Sequence, residues 1–104
     1  MCGIAGLIDY NRRSSPGILQ RCTDILAHRG PDGSGYRFFG EDEYQLGLGH
    51  RRLSIIDLSN AASQPMEYKH LHIVFNGEIY NFMEIRNELQ TMGHSFHTHS
   101  DTEV

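Results

Sequence analysis

The chain has 104 residues, enough for one small domain around one core and too few for the two catalytic domains of a typical ligase. At 38% hydrophobic and 21% charged residues, with no low-complexity tract, its composition is that of an ordered globule and excludes a disordered tail. Thirteen acidic against nine basic side chains, with no basic cluster beyond Arg12-Arg13 and Arg51-Arg52, argue against a nucleic-acid partner, and no segment has the length of a membrane span.

The apolar stretch Ile4 to Ile8 is far short of a signal-peptide core, and its basic residues follow it. With only two cysteines the chain is expected to be cytoplasmic, where a thiol is catalytic or buried more often than bridged. Residues 3 to 9 read as a short buried strand that anchors the N-terminus. Ser15-Pro16 is an N-cap with proline at the first helical position, and Ile18, Cys22, Ile25 and Leu26 form the core-facing stripe of a helix ending near His28. The turn formers of residues 30 to 35 predict a loop, and strands follow near 36 to 39, 44 to 49 and 52 to 57. Residues 71 to 75 predict a strand that runs into a tight reversal at Asn76-Gly77. Asn81 with Glu84 has capping-box spacing, Phe82, Ile85 and Leu89 mark one helix face, and Gly93 should end that helix. Ser100-Asp101-Thr102-Glu103 is a second capping box with one residue after it, so residues 1 to 104 read as the first portion of a longer domain. The predicted class is α+β.

Cys2 directly after Met1 is the sharpest chemical feature. A small second residue permits Met removal, which would leave a thiol and a free α-amine on one residue. The amine titrates near ~8 and the thiol near ~8.5, so the amine can accept the thiol proton near neutrality without a histidine. A small residue tolerated at position 2, or a buried structural thiol, is the alternative. Cys22 reads as a core residue. His70-x-His72 and His97-x-His99 would each put two imidazoles on one strand face, but no cysteine or carboxylate stands beside them at ligand spacing, so no metal is expected. The remaining histidines read as solvent-facing or turn residues. No Gly-rich nucleotide fingerprint occurs, so no cofactor is expected within these residues.

Met-Cys-Gly-Ile-Ala-Gly at the start resembles the N-terminus of class II glutamine amidotransferases, the N-terminal-nucleophile hydrolases. Further motifs follow in order: residues 28 to 35 (HRGPDGSG), 50 to 57 (HRRLSIID), Gln64-Pro65, 76 to 81 (NGEIYN) and 100 to 104 (SDTEV) are similar to the glutaminase domain of asparagine synthetases. The resemblance implies part of a four-layer α-β-β-α sandwich and hydrolysis of L-glutamine to glutamate and ammonia, with Cys2 as nucleophile. It implies that the Asn76 side chain and the Gly77 N–H stabilise the oxyanion, although an Asn-Gly hairpin needs no catalytic role. Arg52 would grip the substrate α-carboxylate, and Arg51, on the opposite strand face, is the neighbouring alternative or a solvated arginine on a sheet edge. Asp101, with Glu78 nearby, would take the α-ammonium, although a helix-start acid needs no ligand. Leu53, Ile55 and Ile56 complete the implied substrate site, Arg29 and Gly30 shape its floor, and Asp32 and Ser34 stabilise a turn. A synthetase domain in cis would use the ammonia, and ATP and Mg2+ are expected only there. The alternatives are another acceptor, such as a sugar or secondary metabolite, and a domain that keeps the fold without turnover.

Overall fold

Residues Gly3–Asp9, a short run of small and aliphatic residues, form strand β1 of the computed structural model, which describes residues 1 to 104. Helix α1 (Pro16–Asp24) follows and tightens into a 3-10 turn at Ile25–His28, then strands β2 (Gly33–Gly40) and β3 (Gln45–Arg52). A 3-10 turn at Asn60–Ala62, the short strands β4 (Met66–Tyr68) and β5 (Leu71–Ile73), helix α2 (Phe82–Thr91) and a last 3-10 turn at Asp101–Glu103 complete the α+β chain. No helix is long and apolar enough to cross a membrane.

Strand β3 is central and pairs antiparallel with both neighbours, in the order β1-β3-β2. Helix α1 covers one face through Leu19 and Thr23, and Leu26 of the following 3-10 turn packs over Gly3 as expected, but Cys22 and Ile25 of the predicted stripe are exposed. The correction has a steric cause. Gly47 and Gly49 make a groove in β3, and a Cβ at Gly49 would stand 1.9 Å from Thr23 Oγ1, so the helix seats the residues that fit that groove. Thr23 is buried at no polar cost because its hydroxyl donates to Leu19 O at 2.8 Å. The opposite face of β1 presents Ile4 and Ile8, about half exposed, so β1 is not the buried strand expected: helix α1 covers only its other face. The β4-β5 hairpin meets β2 through the Phe39–His72 ring contact at 4.8 Å and the Arg37–Glu67 ion pair.

Several local expectations are corrected. Residues 33 to 35 are strand, not loop, because they pair with residues 50 to 52 of β3. Residues 53 to 57 are not strand: β3 ends at Arg52, and the Asp32 carboxylate takes the Ser54 N–H at 2.8 Å, turning the chain away. The strand expected over 71 to 75 stops at Ile73, since the Phe75 N–H donates to Gln64 Oε1 at 2.6 Å instead of to a ladder partner. Asn76-Gly77 makes no left-handed turn; among glycines only Gly93 has positive φ, at 96°, and it ends α2 as expected. Asn81 makes no side-chain cap bond. Ser100 does cap, its Oγ accepting from Thr102 N at 3.1 Å, but Glu103 binds the His97 and Thr98 N–H groups instead of reaching back to Ser100. His70 lies in the β4-β5 turn and residues 97 to 99 are irregular, so neither histidine pair shares a strand face.

Candidate active site

Antiparallel pairing decides where Cys2 lies. Gly3 is opposite Arg51, so the start of β1 and the end of β3 meet at one edge, with Cys2 beside Arg52 and Leu53. The sulfur accepts the Leu53 N–H at 3.3 Å and lies 3.6 Å from Leu53 O, which holds the thiol at the chain's turn-off point. Arg29 Nε donates to Cys2 O at 3.1 Å, fixing the residue's backbone from below. Gly30 is buried against the Arg51–Arg52 peptide, where a Cβ would come within 2.3 Å of Arg51 C, and its carbonyl accepts from Arg51 Nε at 3.0 Å. Arg29 and Gly30 therefore lie beneath the cleft, not on its lining.

A cleft opens above this edge. Cys2, Arg52, Leu53, Ile55, Ile56, Asn76, Gly77, Glu78 and Asp101 all line it, although they come from four separate segments of the chain. Strand alternation sends His50 and Arg52 into the cleft and Arg51 to the opposite face. Arg51 is not the solvated edge residue expected: β3 is central, and the Arg51 side chain is 16% exposed, bound to Gly30 O and 3.6 Å from Asp24. The Arg52 guanidinium donates to Ser59 O at 2.6 Å and to Asp57 O, which orients the fork and leaves further N–H donors for a ligand. Asp101 is 6% exposed, with Oδ2 accepting the Ile79 N–H at 2.8 Å. One backbone donor leaves acceptor capacity on this carboxylate.

Three lining residues, His50, Gln64 and Asp57, and one behind the lining, Arg86, carry structure that the motifs did not assign individually. His50 is 1% exposed, not solvent-facing, and its Nε2 has no partner. Burial holds this imidazole below its ordinary pKa, with the Phe75 backbone opposing and the Arg52 charge adding to the lowering. Gln64 joins three segments, accepting from Phe75 N and donating Nε2–H to Thr102 Oγ1 at 3.2 Å; the peptide from Gln64 to Pro65 is cis. Asp57, 8% exposed, accepts the Ser59 and His99 N–H groups and is held at about 2 by the Ser59 hydroxyl and those two N–H donors. Arg86 is buried under Phe96 and donates to Thr98 O at 2.8 Å and Ser100 O at 3.3 Å, bracing the segment that ends in Asp101. A buried polar residue at each of these positions signals a braced cleft, but the sequence gives no burial for them.

Chemically, the cleft unites the Cys2 thiol, the Asn76 amide and the Gly77 backbone N–H with one guanidinium, Arg52, and the carboxylates of Asp57, Glu78 and Asp101. The profile of a glutamine amidotransferase domain family matches residues 1 to 104. The chain is 42% identical over 110 residues to the glutamine-hydrolysing asparagine synthetase 1 of Bacillus subtilis, covering 100% of this chain and 17% of that protein. It is 34% identical over 120 residues to the putative glutamine-hydrolysing asparagine synthetase 2 of Methanocaldococcus jannaschii, covering 100% of this chain and 23% of that protein. The amidase chry2 of Gibberella zeae is 39% identical over 102 residues, covering 86% of this chain and 15% of that protein. The chain thus spans less than a quarter of the length of these relatives.

Proposed function

Because the chain belongs to the glutamine amidotransferase domain family, we propose that its cleft hydrolyses glutamine to glutamate and ammonia at the Cys2 thiol. The observation that carries this reading is the convergence of residues from positions 2, 52 to 56, 76 to 78 and 101 on one cleft. With Met1 removed, the Cys2 α-amine takes the thiol proton and the thiolate attacks the side-chain amide carbon. The tetrahedral oxyanion is held by the Asn76 side-chain NH₂ and the Gly77 N–H. Collapse forms a thioester and expels ammonia, protonated from the α-ammonium; water then adds to the thioester and releases glutamate. Met1 lies at the mouth of the cleft and is 63% exposed, so an aminopeptidase can reach it, and its loss frees the amine beside the sulfur.

Arg52 binds the substrate α-carboxylate and Asp101 its α-ammonium, so the side-chain amide is delivered toward Cys2. The half-exposed apolar face of β1, with Ile4 and Ile8, supports packing against a second sheet, giving the four-layer α-β-β-α sandwich with residues 1 to 104 as its first portion. We assign the ammonia to amidation of aspartate in a synthetase domain in cis, in the cytoplasm, with ATP and Mg2+ belonging to that domain's chemistry. The relationship to asparagine synthetases of Bacillus subtilis and Methanocaldococcus jannaschii supports this acceptor. The amidase of Gibberella zeae supports a second reading, the same glutaminase serving a different acceptor. Glutamine-dependent ammonia release by the full chain tests the shared step. Cys2→Ala should abolish it and Cys22→Ser should leave it intact; ammonia release that survives Cys2→Ala refutes the assignment.

A further inference from the structure

Asp57 stands between the two charged grips of the cleft. Its backbone carbonyl accepts from the Arg52 guanidinium, whose other arm donates to Ser59 O at 2.6 Å. Its carboxylate divides its two oxygens between segments far apart in the chain. Oδ1 accepts the Ser59 N–H at 2.8 Å, and Oδ2 accepts the His99 N–H at 2.9 Å. His99 is two residues before Asp101, in a stretch whose other side is braced by Arg86 on Thr98 O and Ser100 O. The loop that orients Arg52 and the segment that presents Asp101 are thus bonded to each other through one nearly buried side chain.

We propose that Asp57 is a positioning residue that fixes the span between Arg52 and Asp101, making the cleft selective for a molecule with a carboxylate and an ammonium on one carbon. The inference rests on the reading of Arg52 and Asp101 given above. An α-amino acid holds its two charges at one short separation, so both grips engage together only if their spacing is fixed in advance. A molecule with only one of the two charges uses one grip and is indifferent to the span. The Ser59 and His99 donors keep the Asp57 carboxylate charged across the neutral range, so the tether does not switch off under assay conditions.

The experiment compares three constants in the full chain: KM for L-glutamine, Ki for glutaramate, which lacks the ammonium, and Ki for 4-aminobutanamide, which lacks the carboxylate. Asp57→Asn keeps the shape but offers one oxygen for two N–H groups. It should raise the glutamine KM about tenfold, change each Ki less than about threefold, and lower kcat far less than kcat/KM. An unchanged glutamine KM, an equal rise in all three constants, or a loss confined to kcat overturns the proposal. Where Asp57→Asn does not fold, Asp57→Glu is held to the same criteria, since it keeps both oxygens on a stem one methylene longer; if neither folds, Asp57 is only structural and the proposal fails. Cys2→Ala run in parallel separates the two ideas, because glutamine hydrolysis that survives it defeats the glutaminase reading whatever Asp57 does.

Discussion

Gly30→Ala puts a methyl where the cleft floor has no room. The new Cβ would lie 2.3 Å from Arg51 C, 2.4 Å from Arg51 O and 2.6 Å from Arg52 N, all backbone atoms that cannot rotate away. Ordinary contact begins at 3.4 Å, so the end of β3 must retreat by about 1 Å. That strand end carries Arg52 and leads to Leu53, whose N–H holds the Cys2 sulfur. Overpacking of this kind costs about 1–3 kcal/mol, which for a chain of this size lowers Tm by roughly 4–8 °C per kcal/mol. A displacement of about 1 Å near reacting groups costs on the order of 100-fold in rate. Gly33→Ala is the control from the same segment, since its Cβ would meet only Arg52 Cβ at an unstrained 3.8 Å. Thermal unfolding and glutamine-dependent ammonia release should show Gly30→Ala impaired in both and Gly33→Ala close to wild type. Equal behaviour of the two variants would refute the steric argument.

Asn76→Ala should lower kcat by about 10²–10³ with a smaller change in KM, since it removes a donor needed only when the amide oxygen becomes an oxyanion; a loss confined to KM contradicts that role. Acid should destabilise the fold in two stages. His50 sits below its ordinary 6.5 because it is buried, so its contribution is present above about pH 6.5 and is lost as pH falls toward its folded value. Three carboxylates are also held low: Asp9 by the Ser14 hydroxyl and nearby N–H groups, Asp57 at about 2, and Glu103, whose burial is outweighed by donors from His97 and Thr98. Their contribution is present above about pH 4 and lost as pH falls toward about 2. Tm measured against pH should show both stages, and His50→Asn should remove the first alone; a Tm unaffected by pH between 7 and about 5 in the wild type contradicts the buried neutral imidazole.

The position of strand β1, the start of α1 at Pro16 and the stop at Gly93 were legible because each depends on local chemistry: a short apolar run, a fixed φ, and a left-handed residue. The face of α1 was not, because Leu19 and Thr23 are chosen by glycines in a strand more than twenty residues away. Asn76-Gly77 misled for a similar reason. Its neighbour Phe75 gives its N–H to Gln64, and that distant bond overrides the pair's preference for a tight turn. Of the site, the residues that face the cleft were readable from motif order. Those that brace it, Asp57, Gln64 and Arg86, act through backbone bonds to segments 11 to 42 positions away, which no local pattern records.

Intact-protein mass spectrometry after treatment with a glutamine-like diazoketone tests the Cys2 assignment most directly. Cys22 is the more exposed thiol, so indiscriminate alkylation would favour it, whereas attack on a reagent seated in the cleft must come from Cys2. The account predicts one adduct per chain, on Cys2 of protein that has lost Met1, appearing in step with loss of ammonia release. A chain that retains Met1 and still releases ammonia, or one inactivated by an adduct on Cys22, would contradict it.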